Sequence, residues 1–169
     1  MRLIHPWLGL MLALALVVAL DARSQNPQMQ HRGEMVMGFD QAKTTHRFSL
    51  YEDGGAIEVS VNDARDVVNR DAIRAHLPHL AAMFGAGDFD APMEVHAQQV
   101  PGTAEMARLK DRLAFTYVET PRGGRVDVLT TDKDALAAVH AFLKFQIADH
   151  HTGDSTRVTK RSKTAETTR

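Results

Sequence analysis

The chain has 169 residues and a formal net charge of -1 at pH 7, which gives no bulk attraction to nucleic acid or to anionic membranes. It contains no cysteine, so disulfides, thiolate metal sites, iron–sulfur clusters and cysteine nucleophiles are excluded. A hydrophobic content of 44% beside 24% charged residues fits one ordinary globular domain.

Arg2 precedes an apolar run over residues 7–20, and Ala22 could occupy a cleavage position. Residues 1–22 therefore read as a secretory signal peptide. The run is short for a membrane span, which needs about 20 apolar residues. A periplasmic or secreted protein is expected, with no stable membrane span after cleavage. Residues 23–43 read as a polar linker ending in a short lead-in at 35–40. Residues 44–153 form the expected single domain. Residues 154–169 form a Thr-, Lys- and Arg-rich basic tail, expected to be disordered because it has too little apolar surface to offset its ordering entropy.

Within the domain a hairpin-plus-helix unit is written twice. Phe48 and Leu50 share one strand face, as do Ile57, Val59 and Val61, the period of two of a half-buried strand. Glu52-Asp53-Gly54-Gly55 supplies the turn. The first helix places Ile73, Leu77, Leu80 and Phe84 on one stripe, and Pro78 should kink or end it. Residues 88–102 read as a Pro-containing connection, and 103–112 as a short helix. The second unit repeats the pattern with Phe115 and Tyr117, the turn Pro121-Arg122-Gly123-Gly124, and Val126 and Val128. Its helix carries Leu136, Val139, His140, Leu143 and Ile147 on one stripe, with Asp132 as N-cap. The predicted fold is α+β: duplicated ββα units forming a four-stranded antiparallel sheet with helices on one face. The other face carries Ser49, Glu58, Ser60, Thr116, Val118 and Asp127 and should meet solvent.

Histidine is the unusual reactive resource. His140 lies within an apolar stripe, His46 has the parity of Phe48, and His76 borders the first stripe. Aligning Phe48 with Phe115 sets Leu77 against His140, which makes His140 the polar break between the two copies. Converging at the sheet–helix interface, His46, His76 and His140 would suit a transition metal ion, Cu or Zn. The alternative is that His140 is a core residue bonded to a backbone carbonyl. Met29, His31, Met35 and Met37 form a second candidate set, suited to Cu(I), unless Met35 and Met37 pack as alternating residues of a lead-in strand. His150 and His151 read as a solvated helix end. Asp63, Asp66 and Asp71 read as capping and loop residues.

No GxSxG or short-range Ser-His-Asp arrangement occurs, and the Gly-Gly pairs lie in hairpin turns, not in phosphate-binding strand-to-helix turns. The expected function is therefore a non-catalytic binding protein. A structural or protein-interaction module with a protein partner is the alternative, and an enzyme the third reading.

The segments Met37-Gly38-Phe39-Asp40-Gln41, Thr44-Thr45-His46-Arg47-Phe48, Ala91-Pro92-Met93 and the ending His150-His151-Thr152-Gly153-Asp154 resemble a family of small secreted bacterial proteins of unknown function. The similarity spans residues 35–154 and implies a fold but no activity. The family commonly shows two histidines before the first strand's Phe; here the second position is Arg47. Some similar chains carry the label aspartate carbamoyltransferase. That enzyme is much larger, and its Ser-Thr-Arg-Thr loop has only a partial echo in Ser155-Thr156-Arg157-Val158, so the activity is not expected here.

Overall fold

The structure, a computed structural model, describes residues 27–162. The expected signal segment 1–22 and residues 163–169 lie outside the described residues. The elements run α1 (Pro27–Met37), β1 (Thr44–Tyr51), β2 (Gly54–Val61), α2 (Val67–Ala86), α3 (Asp90–His96), α4 (Thr103–Arg108), β3 (Ala114–Thr120), β4 (Gly123–Leu129) and α5 (Lys133–Asp149), with single 3-10 turns before β1 and β3. The four strands form one antiparallel sheet in the order β1-β2-β4-β3. The α+β class and the antiparallel sheet are as the sequence predicts.

Both hairpins turn through two residues, and both return strands begin Gly-Gly. A side chain at Gly54 would collide with the Val128 carbonyl, and one at Gly123 with the Val59 carbonyl. The two glycines are thus required by close approach of the two central strands. The register makes Gly54 and Gly123 equivalent, as are Tyr51 and Thr120, Phe48 and Tyr117, and His46 and Phe115.

The helices are exchanged between the units. α2 packs chiefly on β3 and β4, and α5 on β1 and β2. Leu143 of α5 sits over Gly55, and Leu77 of α2 sits over Gly124. Both leucines are fully buried, worth roughly 1.5–3 kcal/mol each. Leu77 is therefore the counterpart of Leu143, not of His140, and Phe48 answers to Tyr117, not to Phe115. The apolar stripes alone do not reveal this, because a strand slip of two residues keeps the same facing.

Asp66 caps α2 by accepting from Asn69 N–H, and Asp132 caps α5 by accepting from the N–H groups of Asp134 and Ala135. α2 runs through Pro78 without ending. Pro78 is exposed, while Ile73, Leu77, Leu80 and Phe84 are buried along the other side, and that packing outweighs the lost backbone bond.

Two expectations fail at the ends of the domain. Residues 27–37, expected to be linker and an extended lead-in, are helical, with Met29 and Gly33 buried one turn apart. Nor do residues 154–162 lack structure. Asp154 accepts the edge N–H of Phe48 at 2.9 Å, and Thr159 exchanges backbone bonds with Leu50 and Glu52 in a parallel bridge along β1. Arg161 then reaches the outer sheet face. It pairs with Asp127 at 2.7 Å and Asp53 at 3.2 Å, and lies 4.3 Å above the Tyr51 ring. Asp127, expected in solvent, is buried beneath Arg125 and Arg161. One cation that finds buried carboxylate and carbonyl partners orders a segment poor in apolar residues. Among the described residues, no helix is long and apolar enough to cross a membrane.

Candidate functional site

A cleft opens between the end of α1, α3 and the layer formed by β1, α2 and α5. Its walls include Met37, Phe48, Leu77, Leu80, Phe84, Pro92, Val95 and Phe142, with His46, His76, His96, Gln146 and His150 set among them. It leaves about 60 Å³ between its walls, room for a handful of water-sized groups at ~10–15 Å³ each.

His46 enters from β1 and is buried. Its ring stacks on Phe39 at 6.1 Å and on His150 at 5.2 Å between centroids. His76, on α2, meets the edge of Phe39 at 6.0 Å. His96, the last residue of α3, stands perpendicular to His150 at 5.0 Å. Nδ1 of His96 lies 2.5 Å from the Asp149 carboxylate, and Nε2 lies 3.0 Å from the Gln146 side-chain amide. His46 Nε2 and His76 Nε2 are buried with no hydrogen-bond partner among the described residues.

Burial favours the neutral form of His46, His76 and His150. Desolvation, with His76 and His96 nearby, pushes His46 down to about 4. Desolvation, with His46, His96 and His151 nearby, pushes His150 down to about 2. Burial, with His79 nearby, lowers His76 as well. An unpartnered buried polar group costs about 1–3 kcal/mol, so this cluster is a stability cost that simple packing would not retain.

The duplication shows what packing alone would place there. One residue before the paired leucines stand His76 and Phe142; seven residues after them stand Phe84 and His150. His46 is the counterpart of Phe115. In one half of the molecule Phe84 meets Phe115 at 5.7 Å and Phe142 at 6.1 Å. In the other half the same three positions are His150, His46 and His76. Three phenylalanines on one side answer three histidines on the other.

The structure does not assemble the first expected ligand set. His46 and His76 share the cleft, but His140 stands at the hairpin end of β1. Its Nε2 donates to the carbonyls of Tyr51 at 2.9 Å and Gly54 at 3.1 Å. It is the carbonyl-bonded core histidine of the alternative reading. The second set splits across α1: Met29 is buried, Met37 borders the cleft, and Met35 is 66% exposed with His31 on the same outer side. Residues eight apart on one helix are also ~12 Å apart along it. Among the described residues, no three His, Cys, Asp or Glu side chains are placed to hold one metal ion. The stacked His46–His150 pair, 25° from parallel, cannot aim two in-plane lone pairs at one point between the rings.

Two site residues escape the sequence pattern. His96 lies in a segment read as connection, and His150 was expected to be solvated. The available signal for His150 is its place on the α5 stripe, one turn beyond Gln146 and equivalent to Phe84. None of the described side chains lining the cleft carries a hydroxyl, amine or carboxylate. The polar groups of the cleft are imidazole rings and the Gln146 amide, set among apolar and aromatic side chains.

Comparison with known proteins adds no assignment: no family model, curated protein or solved structure matches the chain.

Proposed function

We propose that the protein is an exported, non-catalytic binding protein whose ligand occupies the histidine-lined cleft. The observation that carries this reading is the replacement of a Phe84–Phe115–Phe142 packing cluster by His150, His46 and His76 in the other half of a duplicated core. Apolar concave walls with a few convergent polar groups are the usual form of a small-molecule site. The unpartnered Nε2 atoms of His46 and His76 supply the polar anchors. Export is supported by Arg2, the apolar run over 7–20 and the resemblance to small secreted bacterial proteins.

The test is a fragment screen of the crystalline protein with small uncharged molecules, transition metal ions included as a separate arm. Density between the His46 and Phe142 rings, reproduced by several members of one chemical class, is the expected result. Fragments distributed over the outer surface, with none in the cleft, would overturn the proposal.

A further inference from the structure

We infer that the cleft ligand is a small planar aromatic molecule bearing an uncharged hydroxyl group, seated with its ring against Phe142 and its hydroxyl on the ring nitrogens of His46 and His76. This rests on the cleft being the binding site and names the class of molecule it takes. The cleft is walled by rings on several sides: Phe48, Phe84 and Phe142 besides the histidines. Aromatic pairs prefer offset or edge-to-face contacts with centroids about 4.5–7 Å apart, the range in which the wall rings already lie from one another. The free volume of about 60 Å³ is well below the ~150 Å³ of a cavity that encloses benzene, so a single ring would lie partly in the open mouth and a larger ring system would lie mostly outside.

The polar partner follows from the state of the histidines. A neutral imidazole has one donor and one acceptor nitrogen. A hydroxyl can give to one such nitrogen and accept from another, which suits a cleft where His46 Nε2 and His76 Nε2 are both buried without partners among the described residues. A carboxylate can only accept, and it would enter an apolar cleft with no cation among its lining residues unless a histidine took up a proton. An amine cation would lose its hydration in a cleft with no carboxylate among its lining residues. A hydroxyl on an aromatic ring fits both the walls and the two unpartnered nitrogens.

Calorimetric titration of the purified protein with phenol at pH 7.5 tests the inference, with toluene, benzoate and zinc ion as parallel arms and the variants His46→Phe and His76→Phe alongside. Phenol is expected to bind with a Kd below about 1 mM, toluene and benzoate at least tenfold more weakly, and each variant to lose at least tenfold in phenol affinity. Equal affinity for phenol and toluene, or a preference for benzoate, overturns the class while leaving the cleft as the site. Zinc binding that His46→Phe abolishes does the same. Phenol binding that neither variant weakens overturns the class and the site together, as does the absence of His46-dependent binding of every probe.

Discussion

His140 and Arg74 do the same work on opposite hairpins. His140 Nε2 donates to the carbonyls of Tyr51 and Gly54, and the Arg74 guanidinium donates to those of Thr120 and Gly123. Each residue stands three positions before the leucine that fills the space over a central-strand glycine. Each belongs to one unit and closes the hairpin of the other. The exchange ties the two ββα units into one cooperative structure.

The first prediction concerns this pair. His140→Ala should destabilise the protein by about 1–2 kcal/mol, the loss of one hydrogen bond together with two under-satisfied carbonyls. It should leave ligand affinity unchanged. Arg74→Ala should cost a similar amount, and the double variant should be close to additive because the two caps share no partner. Urea denaturation of the four proteins measures all three values.

The second prediction concerns acid. His46 lies near 4 in the folded protein, against 6.5 as its ordinary value, and His150 is lowered further. The unfolded chain therefore takes up protons first as pH falls. Stability is full above about pH 6.5 and is lost as pH falls through 4. His46 alone contributes about 3 kcal/mol of that loss, from 1.4 kcal/mol per pH unit. Chemical denaturation at pH 7.5, 5.5 and 4.5 should show the decline, and His46→Phe should flatten it.

The third prediction concerns the C-terminal segment. Arg161→Ala removes contacts to Asp127, Asp53, the Gly55 and Val128 carbonyls and the Tyr51 ring. It should cost about 1–3 kcal/mol and release residues 154–162 from β1. Amide exchange reads this directly. The N–H groups of Phe48 and Glu52, now bonded to Asp154 and Thr159, should lose protection, while those of β2 keep theirs.

The strands, turns and two long helices are legible in the sequence because alternation, Gly-Gly pairs and apolar stripes are local signals. α1 and α3 are not, since a polar helix such as Pro27–Met37 and a seven-residue helix carry little periodicity. These two helices build the outer wall of the cleft. Without that wall His150 reads as a solvated end and His96 as part of a connection. His140 is visible as a polar residue on an apolar stripe, yet its role follows only from the strand register that makes Arg74 its counterpart. The docking of Arg161 depends on a carboxylate, Asp127, more than thirty residues earlier in the chain, which no local pattern announces.

The central claim is that His46 and His76 are held for binding at a cost in stability. The most direct measurement is the melting temperature of wild type and of His46→Phe, each alone and with saturating ligand from the fragment screen. The residue that the other half of the molecule uses at this position should raise the ligand-free melting temperature, by a few degrees for a gain of about 1 kcal/mol, and should abolish the ligand-induced shift. A variant that melts lower than wild type and keeps the full shift would contradict the account.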